Sequence, residues 1–386
     1  MNRICSYAKG YLRPNTGAAV PNPNSSLDSD ALQKLFRVAD RGEPFSDFKI
    51  TTDEKILVCN ARGWDVLDEA PFSIHDMTFL LQAMDPEWET NILQGKINHS
   101  FETDHWRLRV TPFLSYGGSR HTLMIRRIPR TPLPLAKTGL PLPTRLLAGS
   151  KSGLILVSGP TGAGKTSTIA SMVDVINEER RAHIYTIEES IEYLFTPKRS
   201  HFSQREIGLD TPSFFTGVHT AMRHRPDVIV IGEIRDRETA ATALLAGESG
   251  HLVLATLHAN SAYATIQKMM SFFPGEAEHR LPAFSASLLG VINQLMLPHK
   301  QEPRSIMAAE VMFNHKQQFV NIFSDHAKLT EAVERSEDKV SRGMATSIAE
   351  LVKQELVAKA DALNETISNP SLYNKLRPLL GEISRD

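Results

Sequence analysis

The chain has 386 residues, of which 41% are hydrophobic and 23% are charged, and its formal net charge is −1. At about 150 residues per domain this length predicts two or three domains, and the composition excludes a disordered chain, a collagen repeat and a coiled-coil rod. The near-zero charge provides no global positive field, so we expect no direct nucleic-acid partner. Two cysteines cannot build a disulfide framework, and no apolar run approaches the ~20 residues of a membrane helix. We therefore expect a soluble protein of a reducing, cytoplasmic compartment.

The first third of the chain predicts a short arm and a small mixed domain. Residues 1–30 are rich in Asn, Pro, Ser and Gly and contain too few apolar side chains to offset the entropy of ordering, so we expect a flexible arm. Helical spacing of apolar residues begins at Asp28, and a second helix is predicted over Ile74–Met84. Residues 31–130 are therefore expected to form an α+β domain. Its predicted strands, the last two forming a hairpin, are 48–50, 55–58, 106–110 and 122–126.

A proline-rich connector separates this domain from a larger one. Five prolines lie between residues 129 and 143, a density that is incompatible with regular helix or sheet and predicts a stiff linker over 131–145. Beyond it, apolar runs of strand length alternate with helix-length segments, which predicts a parallel sheet covered by helices over 146–386. Apolar residues at helical spacing between 347 and 363 predict one C-terminal helix. The predicted strands of the sheet are 153–158, 182–187, 228–231 and 252–256.

The segment 159–166 fits the phosphate-loop pattern G-x-x-x-x-G-K-[ST], and it lies between a predicted buried strand and a predicted helix, as that motif requires. Glycines let successive backbone N–H groups curl around an oxyanion, and the helix N-terminus adds partial positive charge. Lys165 supplies a mobile cation for the β- and γ-phosphates of ATP, and the Thr166 hydroxyl is a ligand for Mg²⁺. The predicted ATP-binding residues are Gly159, Pro160, Thr161, Gly162, Ala163, Gly164, Lys165, Thr166 and Ser167.

Two acidic elements follow the phosphate loop. The apolar strand 228–231 leads into Glu233, and a carboxylate there can hold the hydration shell of Mg²⁺ or polarise an attacking water. The segment 187–193 carries three carboxylates at the end of another predicted strand, where ligands of open α/β sheets bind. These carboxylates are typical of a water-orienting cluster, and the alternative is a hydrated loop without a chemical role. Arg235 and Asp236 are expected to form a structural ion pair.

Together these motifs resemble the secretion ATPases of type IV pilus retraction (PilT-like) and of type IV secretion. The resemblance is carried by the order and spacing of four segments, 159–166, 187–193, 225–236 and 250–258. It implies an α/β fold, with a RecA-like P-loop ATPase domain and a smaller N-terminal α+β (PAS-like) domain. It also implies a homo-hexameric ring in the cytoplasm, peripheral to the inner membrane and docked on membrane components of a secretion machine.

The resemblance further implies roles for individual residues. Glu192, the last glutamate of the acidic segment, matches the catalytic base or water-positioning residue, and Glu233 matches the Walker-B glutamate. His251 and His258 match two histidines that link the nucleotide state to neighbouring elements, and His258, at the carboxyl end of its strand, is the better candidate for the site. Arginines of the N-terminal domain reach the phosphates in that family, and the best matches are Arg109, Arg120 and Arg126.

Three departures from the PilT-like pattern favour another branch of the same superfamily. The acidic segment reads Glu-Glu-Ser-Ile-Glu over 188–192 instead of Glu-Asp-Pro-Ile-Glu, Gln294 is followed by leucine instead of a basic residue, and 316–323 lacks the pilus-retraction signature. The closer resemblance is to the branch that powers type IVB secretion and plasmid conjugation (DotB- or TraJ-like). Rival hypotheses from other classes are a slow, nucleotide-gated assembly scaffold and a nucleic-acid translocase.

Overall fold

The computed structural model of the chain describes residues 28–141, 144–314, 317–338 and 340–381. The arm predicted over 1–30 lies outside these ranges except for its last three residues, which open the first helix. The described residues are organised around two β-sheets, one in the first third of the chain and one in the remainder.

The first sheet has six antiparallel strands, and the helices of this part of the chain contribute to a core that they share with the sheet. Ile74–Met84 is helical over the predicted bounds, and Ser73 and Asp76 form a capping box at its start. Leu35, Phe48 and Leu80 are fully buried in this core. The elements are α1 Asp28–Ala39, β1 Asp47–Thr51, β2 Leu57–Asn60, β3 Gly63–Val66, α2 Ile74–Met84, α3 Trp88–Leu93, β4 His99–Glu102, β5 Trp106–Ser115 and β6 Arg120–Pro129. The strand order is β3-β2-β1-β6-β5-β4, and the predicted hairpin is the pair β5–β6.

The second sheet has seven strands, and all are parallel except the last, at one edge. They are β7 Gly153–Ser158, β8 His183–Glu188, β9 His201–Glu206, β10 Val228–Ile231, β11 Leu252–Leu257, β12 Leu288–Pro298 and β13 Ser305–Phe313. Their order is β13-β12-β7-β11-β10-β8-β9. The predicted parallel sheet is confirmed. Because parallel strands share an orientation, the carboxyl ends of β7, β8, β10 and β11 lie side by side, and we call this side of the sheet its carboxyl edge.

Helices cover both faces of this sheet. They are α4 Arg145–Ala148, α5 Lys165–Glu179, α6 Phe214–Ala221, α7 Arg237–Glu248, α8 Ala262–Ser271, α9 Ala277–Ser287, α10 His326–Glu334, α11 Met344–Lys353, α12 Lys359–Thr366 and α13 Pro370–Leu379. Alternate residues of β7 serve opposite faces: Leu154 and Leu156 pack in the core with α6 to α9, whereas Ile155 and Val157 pack in the core with α5. Every residue of β7 is buried, which explains the uninterrupted apolar run.

The single C-terminal helix predicted over 347–363 is wrong. The segment contains two helices, α11 and α12, separated by a turn in which Glu355 has a φ of 59°. That left-handed conformation ends a right-handed helix. The apolar spacing is nevertheless correct, because Ile348 and Leu363 pack in one cluster with Leu297 of β12 and Ala308 of β13.

The connector between the two sheets is not an extended segment without tertiary contacts. Residues 135–137 form a short 3₁₀ turn, and Leu135 and Leu140 are buried in the core beneath the second sheet. Residues 142 and 143, at the end of the predicted linker, lie outside the described residues. The two parts of the chain also touch directly, since Ile128 of β6 packs against Ala170 of α5.

Candidate functional site

The phosphate-loop segment leaves the buried strand β7 at Ser158 and enters α5 at Lys165. Gly162 and Gly164 have φ values of 81° and 82°, a left-handed conformation that glycine adopts without a steric penalty. A Cβ at either position would meet nothing within 4 Å. Gly159 differs, because a Cβ there would lie 2.5 Å from the carbonyl oxygen of Gln294. Gly159 also has a positive φ, 146°, so backbone conformation favours glycine at all three positions, and close packing is a second requirement at Gly159.

Lys165 folds back over the loop. Its Nζ donates to the carbonyl oxygens of Gly159 and Pro160, both at 2.9 Å. Burial lowers the pKa of Lys165, while the nearby charge of Glu233 raises it. The lysine ammonium is thus held between the loop backbone and the carboxylate at the end of β10, where a phosphate can reach it.

Glu192 lies beside the first turn of α5. Burial raises the pKa of its carboxyl group, whereas the charges of Arg126 and Arg109 and a hydrogen bond from the Thr166 hydroxyl lower it. Glu188, the first glutamate of the acidic segment, is more deeply buried and accepts a 2.7 Å hydrogen bond from Thr186. Burial raises the pKa of Glu188 to about 7. Both carboxyl groups therefore favour the protonated form more than an exposed glutamate does.

Glu233 lies shortly after β10, and each of its two carboxylate oxygens contacts another side chain. Its Oε2 lies 2.8 Å from Nη2 of Arg235, and its Oε1 lies 3.4 Å from Nε2 of His258. The predicted ion pair between Arg235 and Asp236 is wrong, because Arg235 binds Glu233 and Glu189 instead. The Asp236 side chain accepts from the backbone N–H of Thr239 and caps α7.

The structure brings two of the three candidate arginines to this edge. Arg109 and Arg126 face each other as register partners on β5 and β6, and both act on the carboxyl group of Glu192. Arg126 also pairs with Asp47, with 2.8 Å between Nε and Oδ1. Arg120 lies at the turn end of the same hairpin, where it binds Glu54. Within this chain, Arg120 is not brought to the phosphate loop.

The two candidate histidines lie at opposite edges of the second sheet. His258 follows the carboxyl end of β11 and reaches Glu233. His251 precedes β11, and its Nδ1 lies 3.1 Å from the carbonyl oxygen of Ala246. Because parallel strands run from one edge to the other, His251 is separated from the phosphate loop by the full length of β11.

Two residues at this end of the sheet, Tyr193 and Asn293, were given no role by the sequence analysis. The Ser167 Oγ lies 2.9 Å from the Tyr193 hydroxyl, and Tyr193 ends the acidic segment. Asn293 of β12 donates to Ser158, the last residue of β7, and to the carbonyl oxygen of Ala259, next to His258. A buried amide in an apolar strand is the sequence signal for Asn293, since such a group requires partners.

Comparison with known proteins identifies the family. Residues 92–377 match the family described as Type II/IV secretion system protein. The chain belongs to this family. A twitching motility protein of Neisseria gonorrhoeae is 36% identical over 282 residues, which are 72% of this chain and 74% of that protein. The type IV pilus retraction ATPase PilT of Pseudomonas aeruginosa is 38% identical over 192 residues, 50% of this chain and 55% of that protein.

Solved structures of the same family share the fold. The crystal structure of the pilus retraction motor PilT with bound ADP has a TM-score of 0.74 and 33% identity, and the match covers 88% of this chain and 98% of that chain. The X-ray structure of the Legionella pneumophila ATPase DotB also has a TM-score of 0.74, at 23% identity, covering 92% and 99%. The predicted fold class and the PilT-like superfamily are thereby confirmed. Among the residues that the structure describes, no helix is long and apolar enough to cross a membrane.

Proposed function

We propose that this protein binds Mg-ATP at residues 159–167 and hydrolyses it as a motor subunit of a type II/IV secretion-family machine. One observation carries the proposal: the phosphate loop, Glu192, Glu233 and two arginines of the first sheet converge at one edge of the second sheet. The family membership and the ADP bound to the PilT relative support it.

In this proposal the loop backbone and Lys165 hold the phosphates. The Nζ of Lys165 would exchange the carbonyl oxygens of Gly159 and Pro160 for phosphate oxygens. An anion at the start of α5 would also gain from the partial positive charge of the helix N-terminus. Open space beside Gly162 and Gly164 leaves room for a phosphate against the backbone.

Magnesium suits the oxygen donors of this edge. Mg²⁺ is usually bound through one or two protein oxygens and completes its coordination shell with substrate phosphates and water. Thr166 and, through water, Glu233 would hold the ion, which would neutralise charge on the phosphate oxygens.

Glu192 is our first choice for the group that prepares the attacking water. Its raised pKa makes it a stronger base than an exposed glutamate, and it lies beside Thr166 at the start of the loop helix. Glu233 is the alternative, and its two oxygens are engaged by Arg235 and His258. We assign to Arg109 and Arg126 the stabilisation of negative charge on the transferred γ-phosphoryl group.

Because Arg109 and Arg126 belong to the first sheet, nucleotide binding would be coupled to movement of one part of the chain against the other. We propose that the working unit is a homo-hexamer, peripheral to the inner membrane at its cytoplasmic side and docked on membrane components. Within one chain, His251 and Arg120 both lie away from the phosphate loop. We propose that in the assembled ring His251 couples the nucleotide state to neighbouring elements and Arg120 contacts the phosphates.

For the machine itself we propose type IVB secretion or conjugation, on the departures in the acidic segment and at Gln294. Pilus retraction is the second candidate, and it is favoured by the higher identity to the PilT structure, 33% against 23% for DotB at equal TM-scores. Deletion of the gene in its host separates them. Loss of conjugative transfer or secretion with normal twitching supports the first, and loss of twitching alone supports the second.

The enzymatic proposal is tested with purified full-length protein. Lys165→Ala should abolish hydrolysis, and Glu233→Gln should preserve nucleotide binding while slowing turnover, with Lys268→Ala on the exposed surface of α8 as the control. Turnover retained in Lys165→Ala refutes the site.

Light scattering with and without a non-hydrolysable ATP analogue tests the hexamer. A very slow basal rate that partners do not raise favours the scaffold, and stimulation by nucleic acid favours the translocase.

A further inference from the structure

Arg235 joins two carboxylates that come from two neighbouring strands. Its Nη1 and Nη2 donate to Oε1 and Oε2 of Glu189 at 3.0 and 2.9 Å, the two-pronged geometry in which arginine binds a carboxylate most specifically. The same Nη2 lies 2.8 Å from Oε2 of Glu233. Arg235 therefore fixes the loop after β8 to the residue that follows β10.

This contact is one link of a longer series of alternating charges. Arg235 lowers the pKa of Glu189 through its hydrogen bonds and its charge, and the charge of Arg109 in the first sheet lowers that pKa further without a direct contact between the two side chains. At the other end, Glu233 reaches His258 after β11. The series Arg109, Glu189, Arg235, Glu233 and His258 crosses from the first sheet to the centre of the second.

The contact of Arg235 with Glu189 is as exposed as an ordinary surface ion pair, but its contact with Glu233 is not. Exposed pairs of arginine and glutamate contribute little to stability, and Arg237, two residues further on, forms only such a pair, with Glu276. Arg235 instead contacts Glu233, whose side chain is only 18% exposed and whose charge acts on Lys165. An arginine at this position controls where a carboxylate of the candidate site points.

We propose that Arg235 is a positioning residue, which orients Glu233 for hydrolysis and links it through Glu189 to Arg109 of the first sheet. The inference rests on the proposed ATPase function and adds a residue to which that function gave no role. Because the charge of Arg109 acts on Glu189, a movement of Arg109 changes how strongly Glu189 attracts Arg235. The orientation of Glu233 then depends on where the first sheet stands.

The experiment compares steady-state ATP hydrolysis by the full-length wild type, Arg235→Gln, Arg235→Lys, Glu189→Gln and the double variant Arg235→Gln/Glu189→Gln. Arg237→Gln is the matched control. Melting temperature and binding of a fluorescent ATP analogue are measured for each. We expect Arg235→Gln to lower kcat about 10- to 100-fold, the size of effect that misplacing a reacting group produces, with KM within about twofold. Arg235→Lys keeps the positive charge but cannot make the two-pronged contact, so its rate should lie between those of Arg235→Gln and the wild type.

The double variant tests the link. If Glu189 acts through Arg235, the double variant is no slower than Arg235→Gln alone, whereas independent roles multiply the two losses. The proposal is overturned if Arg235→Gln turns over like the wild type, if it turns over faster, if its loss is confined to KM or to the melting temperature, or if the losses multiply. Absence of turnover in the wild type would instead refute the proposed function.

Discussion

The hydroxyl of Tyr193 lies 2.9 Å from the Oγ of Ser167, so the end of the acidic segment is tied to the first turn of the phosphate-loop helix. Tyr193 is buried against Ile128 of the first sheet and Ala170 of α5. This last residue of the acidic segment therefore packs with both the loop helix and the first sheet. Burial raises the pKa of its hydroxyl, so the group stays protonated at neutral pH.

Tyr193→Phe removes this hydrogen bond and keeps the ring in place. We expect a loss of about 1 kcal/mol in the free energy of unfolding, the usual contribution of one neutral hydrogen bond, and a fall in kcat of about 3- to 10-fold because the acidic segment loses its anchor. Chemical denaturation and steady-state hydrolysis measure the two effects. Tyr373→Phe, in α13, is the control, and equal behaviour of the two variants would show that the Ser167 contact has no role in turnover.

Glycine substitutions should show how much close packing adds to the cost of a positive φ in the phosphate loop. Gly159→Ala strains a backbone whose φ is 146° and also places a Cβ 2.5 Å from a backbone oxygen and 2.9 Å from the Cβ of Ala163, so the loop must shift. We expect it to lose more than about 2 kcal/mol of stability, together with nucleotide affinity. Gly162→Ala meets no atom and should lose about 1–2 kcal/mol from its left-handed backbone alone. Thermal melting and analogue binding measure both, and an equal loss in the two variants would contradict the packing argument.

The buried carboxyl group of Glu188 should make stability depend on pH. Its pKa of about 7 lies above the usual 4.5, so the folded protein retains a proton that the unfolded chain releases between these values. The contribution of this group to stability is therefore lost as the pH rises from about 4.5 to 7. Glu188→Gln does not titrate, so its stability relative to the wild type should rise between pH 5 and pH 8, by on the order of 1–3 kcal/mol.

Melting curves at pH 5, 6, 7 and 8 follow this difference. Glu365→Gln, on the exposed side of α12, serves as the control and should show no such trend. A constant difference between Glu188→Gln and the wild type across the four pH values would mean that Glu188 does not titrate in this range.

The raised pKa of Glu192 should appear in the pH dependence of hydrolysis. A base acts when deprotonated, so kcat/KM should fall at acidic pH, with a midpoint above the ordinary glutamate value of 4.5. Arg126→Gln removes a charge that lowers this pKa, so we expect the acidic limb to move to higher pH. Profiles from pH 5 to 9 test this. Arg304→Gln, whose guanidinium pairs with Glu302, is the control, and an unmoved limb in Arg126→Gln would exclude Glu192 as the titrating base.

The central strands and the phosphate loop were predictable because one physical constraint governs each. Strands buried on both faces require uninterrupted apolar residues, and the predicted 228–231 agrees with β10 to the residue. The break in the tail was not predictable from spacing, since Leu351 and Val357 fit one helix as well as two. The cap at Asp236 did have a signal, an aspartate directly before a helix with Glu238 in its first turn.

The arginines show a limit of prediction from the sequence: the pattern of one strand does not reveal which of its arginines lies near the phosphate loop. Arg120 and Arg126 lie on the same strand and have the same chemistry, but six residues separate them by about 20 Å along an extended chain. Which end of the hairpin meets the second sheet depends on the packing of Ile128 against Ala170. That contact joins residues that no local pattern connects.

Leu135 and Leu140 are embedded beneath the second sheet, although the prolines around them suggest a long tether. The segment between β6 and this anchor is therefore only residues 130–134, which span at most about 17 Å when fully extended, and Arg130 is itself hydrogen-bonded to the backbone of His105. Such a short connector limits movement of the first sheet to rotation about a point close to Leu135. In the proposed ring, Arg109 and Arg126 would therefore act on the nucleotide of their own chain, because so short a connector would prevent the first sheet from serving a distant subunit.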